Sequence, residues 1–494
     1  YAVRQRRTQT VGFSLARCIA HVGSRRSDWS LVTISTLRPW VGAAEALDAL
    51  ESAIAGSHAD QLEIFLASRV AEHTRFASDR IHQAQSITEC QVMVRAIVGT
   101  GSARVAVSSL AKLPGAIEKA TLLALDRDGV MSAPTPYHVS DVRAMADPAG
   151  LWYASSEHWD VAARSLIAGR VMDEGRLAGG TVNGNLTAAV TELAVATSSG
   201  ARAYACATES GFSMTVRIGE ASSYIADLGR DVDALGVEER ATTAVAAMSA
   251  VREIVPVPDG VHDVVFGPLA SGELVGFVPD FGFTAPAVRA GVGLVAERPG
   301  VMIASPLVTI ADDVLSPTGL PFPFDFEGSP KQRVGLIENG RVGRPLSDLA
   351  SASVTGGVAT GHAYIGREQS PDVTASNLVM SAGDLSEIEL IGGVERGIYV
   401  QRLWYNRLVD PEAGTVVGTS RDACFLIEDG AMTKGLAGGR FNESVIGALL
   451  RTDGIGDTLC SQPIPNVWNG CITAPAIRVR GFRFGATTRE TERE

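Results

Sequence analysis

Along the first third of the chain the apolar positions switch period twice. Leu47, Leu50 and Ile54 share one face of a run from Ala43 to Ile54, and Gly56 follows as a stop, so a helix is predicted there. The spacing then falls to two. Val92, Val94, Ala96 and Val98 alternate with other residues as a half-buried strand does, and strands are predicted over 62–68, 70–77 and 90–98. A helix over 116–125 completes a compact α+β unit.

From 130 to 255 the pattern is mixed: a helix near 160–175, strands near 187–197, 201–207 and 212–218, then a helix over 234–254. Val237, Ala241, Ala244, Val245, Met248 and Val251 form the apolar stripe of that last helix, which is the pattern of core packing. Beyond 256 the chain turns Gly-rich and β-branched. Val264-Val265-Phe266 reads as a short buried strand. Leu336-Ile337-Glu338-Asn339-Gly340 and Leu426-Ile427-Glu428-Asp429-Gly430 each put strand-like residues before a pair that tolerates positive φ, so two hairpins of one sheet system are predicted. Ser386 and Glu389 form a capping box opening a helix over 386–396, and 476–479 and 482–484 read as terminal strands. The fold class expected is α+β. It comprises an N-terminal α+β domain over 43–128, a mixed middle domain over 129–255 and a β-rich C-terminal domain over 256–485 with paired hairpins. A polar tail over 486–494 follows.

Composition narrows the function. With 46% apolar and 20% charged residues in 494, the chain can bury more than one core. A net charge of −12 argues against a nucleic-acid surface, which needs clustered Lys and Arg. The six cysteines lie at 18, 90, 206, 424, 460 and 471 without C-x-x-C spacing, a pattern of reduced thiols, and no apolar run approaches the roughly 20 residues of a membrane span. A cytoplasmic protein is expected. Residues 1–42 differ, with seven arginines against the single acid Asp28. They are expected to be a poorly ordered extension; a transit segment is the alternative that composition allows.

Residues 403–411 (Leu403-Trp404-Tyr405-Asn406-Arg407-Leu408-Val409-Asp410-Pro411) are followed by Arg421-Asp422, Leu426 to Gly430, and Arg440-Phe441-Asn442-Glu443-Ser444. Earlier stand Asp325-Phe326-Glu327-Gly328-Ser329-Pro330 and Ile337-Glu338-Asn339-Gly340. This ordered set resembles the C-terminal region of the TldD/PmbA family of peptidase-associated proteins, and its wording is similar to the TldE (PmbA) type. Arg75-Phe76-Ala77 with Arg80-Ile81-His82-Gln83 resembles the family's N-terminal strand pair. The resemblance implies a subunit whose TldD-like partner carries the zinc, and an extended peptide as substrate.

In the TldD type the metal is held by H-E-x-x-x-H and a later cysteine. An ungapped anchoring on Val264-Val265-Phe266-Gly267 sets Gly276, Phe277 and Phe281 where the motif has His, Glu and His. No histidine lies between His262 and His362, so no register restores the pair. No catalytic, cofactor-binding or metal residue is therefore assigned in this chain; zinc is expected in the partner. His262 and His362 are expected to be surface or hydrogen-bonded, and Cys460 and Cys471 ordinary thiols. Asp312-Asp313 and Asp325/Glu327 could form an acid–base pair or a cation site, but a turn with solvated charges, and for 325–328 a structural signature that the resemblance implies, is the expectation preferred. Ser109-x-x-Lys112 lacks the motifs that would support it. Two further readings stay open: an autonomous hydrolase using cysteine or carboxylates, and a non-proteolytic peptide-binding scaffold.

Overall fold

The computed structural model describes residues 37–77, 79–129, 150–295, 298–365 and 371–485. Its N-terminal half is one antiparallel sheet of six strands in the order β3-β2-β1-β4-β5-β6. These are β1 (Gln61–Ala77), β2 (Arg80–Val98), β3 (Gly101–Val107), β4 (Thr181–Thr197), β5 (Arg202–Ile218) and β6 (Ala221–Gly229). The sheet is flanked by α1 (Ala43–Ala55), α2 (Leu113–Asp126), α3 (Ala154–Glu157), α4 (Val161–Leu177) and α5 (Val237–Ala250).

Two expectations change here. Segments 62–68 and 70–77 are one strand, because Arg69, which reads as a polar break, stays in register with its guanidinium bound to Glu209 at 2.7 and 3.1 Å. Segments 201–207 and 212–218 are likewise one strand, β5. The boundary placed at 128/129 runs through the sheet: β1 pairs β2 on one side and β4 on the other along most of its length. Periodicity reports a strand but not its neighbour, so this pairing was invisible locally.

The ordered body also begins before Gly42. Leu37 is buried in the same core cluster as Trp159 and Val171, and the Val41 and Gly42 N–H groups donate to Glu192 at 2.7 and 2.9 Å. Ser68 and Tyr204 donate to the same buried carboxylate, so four donors satisfy it. The rest of the expected extension, residues 1–36, lies outside the described residues, as does the polar tail.

The C-terminal half is a second sheet of twelve strands, mixed in direction. Its strands in chain order are β7 (Ile254–Pro256), β8 (Gly260–Phe266), β9 (Ile310–Asp312), β10 (Val334–Glu338), β11 (Arg341–Val342), then β14 (Asn377–Met380), with the separate pair β12 (Ala363–Ile365) and β13 (Pro371–Val373) just before it. There follow β15 (Arg396–Asp410), β16 (Thr415–Glu428), β17 (Ala431–Ala437), β18 (Arg440–Ser444), β19 (Thr452–Pro463) and β20 (Cys471–Phe484). Short helices α6 (Pro268–Val275), α7 (Ala285–Ala290), α8 (Leu349–Thr355), α9 (Glu387–Gly392) and α10 (Val445–Leu450) connect them.

Both predicted hairpins form in this sheet. Glu338 pairs with Arg341 across Asn339 and Gly340, at φ 48° and 79°; Glu428 pairs with Ala431 across Asp429 and Gly430, at φ 50° and 76°. The Ser386/Glu389 capping box is present, but α9 stops at Gly392 because β15 begins at Arg396. The two terminal strands are one, β20, bulged between Val479 and Phe482. Among the described residues no helix is long and apolar enough to cross a membrane.

The halves are joined by buried polar contacts as well as packing. Arg230, buried beyond β6, donates to the Thr208 and Pro321 carbonyls at 3.0 and 2.8 Å. Phe65 of β1 stacks on Phe326 with centroids 4.3 Å apart.

Candidate functional site

Strand β8 lies inside the sheet between β20 and β15 and delivers the chain through Gly267-Pro268 into α6. Proline at the first helical position suits such an entry, since its missing N–H would be unpaired there anyway. Along α6 and its exit the residues read Gly272-Glu273-Leu274-Val275-Gly276-Phe277. This run has the spacing of H-E-x-x-x-H with its glutamate kept. It lies four residues before the ungapped placement, which had set Gly276, Phe277 and Phe281 at the motif's positions.

Side chains support the earlier register. A side chain at Gly272 would meet the Gln462 amide, which fills that space and donates to the Leu269 carbonyl at 2.8 Å. A Cβ on Gly276 would lie 2.7 Å from Ile472, and Phe281 is fully buried in the C-terminal core. In either register both histidine positions hold Gly or Phe. The residues present therefore do not fit a zinc ion: Gly272 has no donor, Phe277 has a hydrocarbon ring, and Gln462 is committed. Among the described residues no three His, Cys, Asp or Glu side chains are grouped to hold a metal.

Glu273 is the polar group left at this site. Its Oε2 accepts from Asn406 Nδ2 at 2.8 Å, and burial pushes its carboxyl above the ordinary value despite Asn406 and Arg402 nearby. Asn406 reaches it because β15 bulges between Trp404 and Arg407, and Gly418 on the facing strand leaves room for the amide. The sequence carried a signal for Glu273: it is the single charged residue between Asp263 and Asp280.

The cysteines are thiols rather than thiolates. Burial first, then Asp227, pushes Cys460 far above the ordinary range, while burial raises Cys471 to about 12. Cys460 Sγ donates to the Ala226 carbonyl at 3.0 Å. A neutral buried thiol is a poor nucleophile and a poor ligand.

Of the four carboxylates expected to be solvated, Asp313 is half-buried and pairs with Arg333 at 3.3 Å, and the other three are buried. Asp312 is fully buried, with Oδ1 3.0 Å from His362 Nε2 and 3.7 Å from Lys331 Nζ, and with Oδ2 accepting from the Ser376 and Asn377 N–H groups. Asp325 accepts three backbone N–H bonds, from Glu327, Ser329 and Ala363, at 2.8 to 3.0 Å. Glu327, also buried, accepts from the Leu349 N–H at 3.0 Å. His362 is hydrogen-bonded as expected, to Thr360, but it is 1% exposed rather than at the surface. His262 binds the Pro258 carbonyl at 2.9 Å. Lys331 and Ser376, which hydrogen-bond to each other inside this cluster, were not anticipated; a lone lysine after Pro330 was the available clue. The cavity beside them, under Phe322, Phe324 and Trp468, holds about 40 Å³. That is room for roughly two or three waters and not for a substrate. Ser109 and Lys112 are not brought together; Lys112 reaches Ser108 instead, at 3.5 Å.

Acid sensitivity follows from the buried histidines. Burial, then Arg69 and Arg75, lowers His73 to about 4; burial, then Lys331, also lowers His362. Both are neutral in the fold, while an unfolded chain protonates them near pH 6.5. Their contribution is complete above about pH 6.5 and fades as the pH falls toward 4. Against burial, Lys331 and His362 hold the Asp312 carboxyl low, so its share is lost only in stronger acid. Burial raises the Asp325 carboxyl to about 7, so that group works in the opposite sense over the same pH window, and the histidine share is read from a variant: between pH 7 and pH 5, His73→Gln is expected to lose less urea midpoint than the parent. An equal change in parent and variant would contradict this account.

Residues 259–486 match the family described as the PmbA/TldA metallopeptidase C-terminal domain. A metalloprotease of Methanothermobacter thermautotrophicus is 27% identical over 241 residues, covering 47% of this chain and 52% of the relative. A TldD homolog of Haemophilus influenzae, also a metalloprotease, is 27% identical over 266 residues, covering 51% and 53%. The chain thus spans about half the length of the curated relatives it matches. In structure it is similar to TldE from Thermococcus kodakarensis, with a TM-score of 0.78 at 21% identity over 89% of this chain and 100% of the other. A Thermotoga maritima protein described as a putative modulator of a DNA gyrase gives 0.73 at 17% identity, over 86% and 96%. At these identities the likeness is one of fold.

Proposed function

We propose, for a chain that belongs to the TldD/PmbA family through its C-terminal domain at residues 259–486, a role as the zinc-free subunit of a two-chain metallopeptidase acting on extended peptide. One observation carries this reading. The run Gly272 to Phe277 keeps the glutamate of H-E-x-x-x-H and replaces both histidines, and Gln462 fills the volume of the first. A hydrolytic zinc site needs three protein ligands and an open position for water, and this site offers neither. A TldD-like partner would supply the metal, and this chain would help enclose the peptide. Sheet-rich surfaces take extended peptide through main-chain hydrogen bonds that tolerate sequence.

The autonomous-hydrolase reading has little support. Cys460 and Cys471 are neutral thiols, and the oxygens of Asp325 are occupied by backbone donors. The test is reconstitution of this chain, its TldD-like partner, both together, and both with a chelator. Peptide cleavage is expected only in the mixture and is expected to vanish with chelator. Metal analysis should find zinc with the partner, and the two chains should co-purify through an interface above about 1,000 Å². Full activity of the partner alone, or about one zinc per isolated copy of this chain, would overturn the proposal.

A further inference from the structure

The outer half of the β15–β16 hairpin carries strain that the α6 site does not explain. Tyr405 sits at φ 58° with 70% of its surface exposed, and Asp422 and Ala423 on the facing strand are also left-handed, at 52° and 38°. An aromatic L-residue rarely adopts this region, and such outliers concentrate at binding sites. The bulge at Tyr405-Asn406 turns Asn406 inward to Glu273 and leaves the tyrosine ring outside. Trp404, 38% exposed, meets that ring edge-on at 6.0 Å.

Three arginines pack on these rings. The Arg402 guanidinium lies 3.6 Å from the Tyr224 centroid and 4.5 Å from that of Trp404; Arg421 lies 5.2 Å from Trp404, and Arg407 5.9 Å from Tyr405. Among the described residues one carboxylate, Asp422, stands within ion-pair range of them, at 3.4 Å from Arg402 and 3.7 Å from Arg421. Its other oxygen accepts from Ser222 at 2.7 Å. Two of these cations share the Asp422 carboxylate and Arg407 is not within ion-pair range of it, which leaves an excess of positive charge on this face of a chain whose net charge is −12. Arg402 is largely covered, with 15% of its side chain exposed, whereas Arg421 is 55% exposed. A guanidinium stacked on a ring keeps its N–H edge free for a carboxylate, which it can grip with two parallel hydrogen bonds.

We propose that this face of the hairpin docks an extended acidic peptide segment. Arg421 and Arg407 take its carboxylates, while the exposed Tyr405 ring packs against the aliphatic stems. Charge complementarity selects the occupant. A nucleic-acid strand fits less well, because Trp404 is already covered by two guanidiniums and offers little ring surface to a base. The inference rests on the peptide-handling role proposed above and adds to it a preference for acidic side chains.

The experiment uses the full chain without a partner, so it is read separately from reconstituted proteolysis. A fluorescein-labelled glutamate-rich peptide and its glutamine counterpart are titrated by anisotropy at low salt. The acidic peptide is expected to bind about tenfold tighter, with the difference shrinking as salt rises. The double variant Arg407→Gln/Arg421→Gln should lose the discrimination with an unchanged melting temperature. Tyr405→Gly, which relieves the positive φ, should melt no lower than the parent yet bind both peptides more weakly. Equal binding of the two peptides would overturn the proposal. So would discrimination that survives in the double variant, or displacement of the acidic peptide by a single-stranded oligonucleotide at physiological salt. Were the acidic preference absent while the two-chain peptidase still reconstituted, the docking surface alone would be wrong.

Discussion

Replacing Asp325 by alanine is expected to remove roughly 3–5 kcal/mol of folding stability, a large share of what a domain of this kind has. The residue is 2% exposed, and its carboxylate closes the turn before Pro330 by accepting the Glu327 and Ser329 N–H groups on one oxygen and Ala363 on the other. Alanine leaves three backbone donors without the acceptor that the fold provides for them. Each unsatisfied buried donor costs on the order of 1–3 kcal/mol, and the turn would relax to recover part of it. Asp325→Asn separates this account from a simple charge effect. Its carbonyl oxygen can still serve Glu327 and Ser329, but its NH₂ then faces the Ala363 N–H, donor against donor. A loss about half that of alanine is expected. Urea unfolding with an unchanged slope is the measurement. A loss below about 1 kcal/mol for Asp325→Ala would mean that the turn does not depend on its carboxylate.

The second large effect is at the tip of the first hairpin. Gly340→Val is expected to destabilise by about 3 kcal/mol or more, and Gly430→Val by about half as much. Both positions need left-handed φ, at 79° and 76°, which a β-branched residue strongly disfavours. Their surroundings differ. A Cβ at Gly340 would run into the Ala304 and Ser305 carbonyl oxygens and lie 2.8 Å from the Met302 sulfur, and the Gly340 carbonyl accepts from Ile303 and Ala304 at 2.8 and 3.0 Å. Backbone held by its own hydrogen bonds cannot move aside cheaply. At Gly430 the nearest atoms belong to Gly392 at 3.0 Å or more, so a small shift of that turn suffices. Thermal melts of the two variants beside the parent should show this order. Unchanged melting in both would refute the two-residue turns.

Much of the fold was legible because its determinants are local. The hairpins at 339–340 and 429–430, the capping box at Ser386 and the apolar stripe of α5 from Val237 to Met248 depend on residues a few positions apart, and each stands in the structure, although the helix expected over 234–254 is confined to 237–250 and leaves Val251 extended. The side-chain chemistry at the motif's positions was legible in the same way. A glycine and a phenylalanine cannot ligate zinc wherever they sit, and that conclusion survives the four-residue shift to Gly272, Glu273 and Phe277. Strand continuity was less legible. Arg69 looks like an interruption in β1 until its partner Glu209, 140 positions away, is in place.

What the sequence determined by itself was therefore side-chain chemistry and short-range geometry: the α+β class, the two tight turns, the family-like run from Leu403 to Ser444, and the missing ligands. Tertiary structure decided everything that depends on desolvation or distant pairing. It joined the expected N-terminal and middle domains into one sheet by pairing β1, which ends at Ala77, with β4, which begins only at Thr181. It also made Asp312, Asp325 and Glu327 buried acceptors, and it set Gln462 into the space beside Gly272. The physical reason is that a carboxylate in a turn reads the same whether water or backbone N–H groups surround it. Only the packed chain fixes which of the two it meets.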